Sequence, residues 1–142
     1  MSVDPQFRLD SRLAADTIRI GKLDLCLVLL MNNAAYPWLV LVPQQAGLRE
    51  IIDLEKRKQH RLMDEIALAS DALRTLLKPT KLNVGALGNV VGQLHIHVIA
   101  RFASDPAWPG PVWGKGPPEP YAPELAAERC IALRNALALR GD

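Results

Sequence analysis

Two histidines one residue apart, His95 and His97, stand in the segment Gly92-Gln-Leu-His-Ile-His-Val-Ile-Ala100, and the chain has only 3 histidines in all. Side chains alternate across a β-strand, so Gln93, His95 and His97 share one face while Leu94, Ile96 and Val98 share the other. Three readings suit such a row. Neutral imidazole is a nucleophile toward phosphorus and moves protons near neutral pH, and the preceding loop Gly85-Ala-Leu-Gly-Asn-Val-Val-Gly92 can turn backbone N–H groups toward a phosphate. The pair could instead supply two ligands of a zinc ion, which needs further ligands that no nearby Cys or His offers. In the unreactive case the two rings are simply hydrogen-bonded on a half-exposed sheet face. Residue types and spacing leave all three open.

The elements that must position this row can be read along the chain. The first fifteen residues form an irregular or helical lead-in, with Leu9, Leu13 and Ala14 as contacts. A short strand is predicted over Asp16 to Gly21, a second over Leu23 to Met31, and a third over Trp38 to Val42, fenced by Pro37 and Pro43. A long helical segment opens at Gly47 and ends before Pro79. Its stripe is Leu62, Ile66, Ala69, Leu73 and Leu76, and Glu55, Lys56, Arg57, Lys58 and Arg61 form a solvated face. His60 lies on that polar face and reads as exposed and idle. Lys81 to Val84 is a strand, the glycine-punctuated loop follows, and Gln93 to Arg101 alternates as the last strand. Arg101 reads as a solvated residue at its end, with phosphate contact the alternative.

Most of the chain's 11 prolines fall in the proline-rich crossing 106–123, which is non-helical. Trp108 and Trp113 predict that it packs on something, across the sheet or at a dimer contact, with base recognition the minor reading. A closing helix over 124–139 carries Leu125, Ile131, Leu133 and Leu137. Strands flank one long helix without regular alternation, which favours an antiparallel α+β domain with helices on one face of the sheet.

Composition bounds the function. A chain of 142 residues fits one domain; 49% hydrophobic and 23% charged residues are ordinary globular usage. With 17 Lys plus Arg against 15 Asp plus Glu, the net charge of +2 is too even for charge-driven nucleic-acid binding, while compact anions remain possible ligands. The longest apolar run, Leu25 to Met31, is far short of the ~20 residues that span a bilayer. The N-terminus lacks a signal-peptide pattern, so a soluble cytoplasmic protein is expected. Cys26 and Cys130 read as buried free thiols.

Gln93-Leu-His-Ile-His-Val-Ile-Ala-Arg101 resembles the signature of the histidine triad (HIT) superfamily, His-φ-His-φ-His-φ-φ with φ apolar, in a bacterial-type variant that begins with Gln. Lys81-Leu-Asn-Val-Gly resembles the family's asparagine-bearing strand, and Trp38-Leu-Val-Leu-Val-Pro43 its His-φ-Leu-Val-φ-Pro strand. The likeness covers about residues 10 to 105, with the crossing and closing helix completing a single HIT domain over 1–142.

The resemblance implies a HIT-like fold, usually homodimeric and in most branches without a metal or other cofactor. It implies a nucleotide hydrolase or nucleotidyltransferase acting on dinucleoside polyphosphates, phosphoramidates, acyl-nucleotides or nucleotide sugars. By position His95 is the nucleophile toward the α-phosphorus and His97 contacts phosphate oxygens and can assist the leaving group. Asn83 and Asn89 match ribose- and phosphate-facing positions. Gln93 replaces the first histidine and cannot carry a proton. Trp38 stands where relatives often place another histidine, and could stack on a base or pack in the core. These two departures motivate the alternative, a catalytically weak nucleotide-binding or interaction module. The expected partner is a nucleotide-type small molecule, with no nucleic acid and no membrane.

Overall fold

The protein is described from a computed structural model covering residues 3–139; the expected domain extent of 1–142 therefore includes residues 1–2 and 140–142, which lie outside the described residues. Five strands form one antiparallel sheet. They are β1 (Thr17–Lys22), β2 (Cys26–Met31), β3 (Trp38–Pro43), β4 (Lys81–Gly85) and β5 (Ile96–Arg101), in the spatial order β1-β2-β3-β5-β4. Three helices accompany them: α1 (Ser11–Asp16), α2 (Lys56–Leu77) and α3 (Pro123–Leu137). The architecture is the expected mixed α+β fold.

The sheet is covered on both faces, so every residue of β3 and β5 is buried. One core joins Val28, Leu30, Leu39, Leu41, Ile96 and Val98 to the stripe of α2 and to Cys130, Leu133 and Leu137 of α3. The other joins Leu27, Leu29, Val40, Val42 and Ile99 to Leu13 of α1, Tyr36 and Val112. Cys26 and Cys130 are buried free thiols.

Several element boundaries differ from the sequence expectation. The long helix begins at Lys56, not Gly47. Leu48 and Leu54 are both drawn into the first core, and the Asp53 carboxylate accepts the backbone N–H groups of Arg49 and Glu50, giving this stretch a local alternative to the helix. A single 3-10 turn over Ile51–Asp53 results. The buried stripe ends at Leu73, for Leu76 is 41% exposed, two residues before the left-handed cap at Lys78. In α3, Leu125 and Ile131 face solvent and Cys130 takes the inward position. Ala14 is exposed beside the buried Leu13.

Arg101 is neither solvated nor a free phosphate ligand. It is fully buried, donating through Nε and Nη2 to the Asp105 carboxylate at 2.8 and 3.0 Å and through Nη1 to the Asn83 carbonyl oxygen at 2.8 Å. Asp105 also accepts the N–H groups of Phe102, Ala107 and Trp108. This knot turns the chain from β5 into the proline-rich crossing. The crossing is then tied to the turn after β2, where Asn32 and Asn33 accept from the N–H groups of Tyr121 and Glu119.

Candidate active site

The last strand is shorter than its alternation suggests, beginning at Ile96, yet His95 and His97 still project from one face. Both are 6% exposed, on the side of the sheet away from α2 and α3. Register sets the surroundings of His97, which pairs with Val40 on β3 and Gly85 on β4. Gly85 has no Cβ, and the Trp113 indole fills that space, 3.1 Å from where one would stand. Trp113 lies against His97 with ring centroids 5.5 Å apart. Trp38 lies diagonally across the β3–β5 ladder, within reach of an aromatic side chain. Its indole Nε1–H donates to His97 Nδ1 at 2.9 Å.

The two imidazoles are held by different partners. His95 Nδ1 is 2.7 Å from the Gln93 carbonyl oxygen. A carbonyl only accepts, so in the neutral ring Nδ1 bears the proton and Nε2 keeps its lone pair. An indole N–H only donates, so His97 Nδ1 bears the lone pair and Nε2 the proton. The rings stand 4.9 Å apart. Burial, and then the neighbouring His95, lower the His97 pKa from 6.5 to about 4.

Both histidines line a cavity of about 730 Å³. Trp38 and Trp113 contribute to its wall, with Gly88 and Asn89 from the glycine loop. The backbone N–H groups of Leu87, Gly88, Asn89, Val90 and Val91 donate to no other group among the described residues, so they are available to an anion. Charged side chains complete the rim: Arg12 and Asp16 from α1, and Lys115 from the crossing. A neighbouring hollow of about 320 Å³ shares His95, Leu87 and Gly88 and is bordered by Arg49, whose guanidinium lies above Gly92.

Of the residues singled out from sequence, His95, His97, Trp38 and Asn89 come together in the cavity. Gln93 and Asn83 do not join its wall. Gln93 Oε1 accepts the N–H of Asp10 at 2.8 Å and its Nε2 donates to the Arg8 carbonyl at 2.8 Å, pinning the N-terminal segment. Asn83 turns to Arg101. Arg12 and Lys115 were not anticipated. For Lys115 a signal existed: Gly114 and Gly116 flank it, both with positive φ (83° and 71°), a turn that presents one basic side chain. No group of three or more His, Cys, Asp or Glu among the described residues is placed to hold a metal ion.

The model of the HIT domain family matches residues 12–104 of the chain. The chain belongs to the histidine triad family. Three solved HIT-family structures are similar over nearly the whole length. A histidine triad protein from Sinorhizobium meliloti is 45% identical, with a TM-score of 0.90, covering 92% of this chain and 97% of that one. One from Bradyrhizobium japonicum is 47% identical at TM-score 0.91, covering 94% and 99%. A third, from Marinobacter aquaeolei, is 49% identical at TM-score 0.91, covering 93% and 96%. No curated protein matches the chain. The HIT match stops at residue 104, so Trp113 and Lys115 reach the cavity from a segment beyond the matched domain.

Proposed function

We propose that this HIT protein is a nucleotide hydrolase or nucleotidyltransferase that cleaves at a nucleoside α-phosphate through a nucleotidyl intermediate on His95. One observation carries the reading: the Gln93 carbonyl holds His95 Nδ1–H at 2.7 Å, leaving Nε2 as the unprotonated atom of a residue that lines the cavity. His97 Nε2–H, the Asn89 amide and the free loop N–H groups are donors for the phosphoryl oxygens, whose negative charge must be met in the transition state. Arg12 and Lys115 suit an anionic ligand. A homodimeric assembly and a cytoplasmic location are part of the same proposal; among the described residues no helix is long and apolar enough to cross a membrane.

Intact-protein mass spectrometry tests this reading. Wild type and His95→Ala are mixed with adenylated substrates and diadenosine polyphosphates, then quenched in acid and in alkali because phosphoramidates are acid-labile. An adduct and turnover in wild type only are expected, with the variant folded. Full turnover by His95→Ala would sink the proposal. A second reading, nucleotide binding without turnover, is favoured by the absence of a titratable side chain at Gln93, and is supported if nucleotide binds but neither adduct nor product forms.

A further inference from the structure

The Trp38–His97 contact constrains the chemistry of the site. Both residues are buried, and the indole N–H has no acceptor capacity. A second proton on His97 would set an N–H against an N–H and break the hydrogen bond at Nδ1. The groups facing His97 offer no compensating negative charge: Val40 from β3, Gly85 from β4, Trp113 from the crossing, and His95 from its own segment. Of the charged residues lining the same cavity, Arg12 and Lys115 are cationic and Asp16 is acidic, and none forms an ion pair with His97 among the described residues. Burial pushes His97 the same way, to a pKa of about 4. Gln93 has no proton to lend and is committed to Arg8 and Asp10.

We infer that Trp38 is a positioning residue that holds His97 as a neutral Nε2–H donor, and that the site therefore takes substrates whose leaving group departs from the α-phosphorus as an anionic oxygen (phosphate, diphosphate or carboxylate) and discriminates against amines. The inference rests on the proposed function and narrows its substrate class. In the first step the His95 Nε2 lone pair forms the N–P bond, the P–O bond breaks, and its electron pair leaves on oxygen without needing a proton. In the second step a water oxygen bonds to phosphorus, the N–P electron pair returns to His95 Nε2, and the water's proton passes to solvent. A P–N substrate differs at the first step, because its departing nitrogen must gain a proton to leave as a neutral amine. His97 could supply it only by becoming an anion, since its Nδ1 partner, the Trp38 indole N–H, is too weak an acid to pass a proton to Nδ1 as the Nε2 proton departs.

The test compares two probes sharing adenosine, the acetyl-adenylate mixed anhydride and an N-alkyl adenosine 5′-phosphoramidate, with wild type, Trp38→Phe and Trp38→His. The readouts are kcat/KM for each probe and the ¹⁵N spectrum of His97. Wild type should prefer the anhydride beyond the ratio of the uncatalysed rates by about 10²–10⁴-fold, the usual worth of a proton donor. Both variants should lower that preference by about tenfold or more. His97 should remain the Nε2–H tautomer from about pH 5.5 to 8 in wild type and take up a proton at a higher pH in the variants than in wild type. A wild-type preference no greater than the uncatalysed ratio, or a proton on His97 Nδ1, overturns the inference and leaves the hydrolase reading standing. If neither probe turns over or labels His95, the hydrolase reading falls and this inference with it. Should a Trp38 variant fail to fold, the wild-type ratio and spectrum decide alone.

Discussion

Burial that keeps His97 neutral also ties stability to pH. The unfolded chain protonates this histidine below its ordinary value of 6.5, whereas the folded protein does so only near about 4. Between those values the unfolded state binds more protons, so stability is full above pH 6.5 and declines as pH falls toward 4, by about 3 kcal/mol in all. Urea midpoints measured across that window should fall for wild type and stay flatter for His97→Gln; parallel curves would refute the assignment. Asp105 behaves differently. Hydrogen bonds from Arg101 hold its pKa down at about 2 against 3.8. Its contribution is present above pH 3.8 and disappears as pH falls toward 2, on the order of 2 kcal/mol. Asp105→Asn should remove that acid limb and destabilise at neutral pH by leaving the Arg101 guanidinium buried and half-partnered. At this level the sequence displayed His95 and His97 plainly, because alternation along one strand is local. The fate of Arg101 was hidden, since its partners Asp105 and Asn83 meet it only through a turn and the β4–β5 register.

The α2 helix shows what periodicity conveys and what it omits. The apolar stripe of Leu62, Ile66, Ala69 and Leu73 was legible, and it is buried as expected. Between Leu62 and Ile66 stands Glu65, fully buried, whose two oxygens accept the N–H groups of Leu25 and Cys26 at 2.9 and 2.8 Å while Arg61 pairs with it from one turn earlier. A charged residue on the apolar face looks like a boundary of the stripe until the start of β2 is seen to need acceptors. Glu65→Leu should cost about 3 kcal/mol in urea unfolding because two buried donors lose their partners; a change under about 0.5 kcal/mol, the range of an ordinary surface substitution, would show the contacts to be incidental. The same surroundings, burial first and then Glu65, push the Cys26 thiol well up, so it should resist alkylation in the folded protein. Gln93 illustrates the complementary gap. Its place in the motif suggested a site role, while its side chain ties the backbone at Arg8 and Asp10 ahead of α1. Gln93→Ala should speed amide exchange over residues 3–13 while leaving the sheet protected; unchanged exchange there would argue against the pin.

Three parts distant in sequence wall one cavity: α1, the glycine loop and the crossing that carries Trp113 and Lys115. A nucleoside monophosphate bound there should slow exchange in all three together, and protection confined to the loop would place the ligand elsewhere. The sheet and its helices could be anticipated because each strand is a compact apolar run. The crossing could not be followed in detail, for prolines report where regular structure stops and not where the chain goes next.

All 3 tryptophans also gather on this side of the sheet: Trp38 and Trp113 against His97, and Trp108 within 5.7 Å of the Arg101 guanidinium carbon. An imidazolium quenches indole emission far more strongly than neutral imidazole does. The protein thus carries its own optical gauge, bright while His97 is neutral and dimming in acid as that ring protonates. A nucleobase settling near Trp113 would alter the same light, so occupancy of the cavity can be followed without a label.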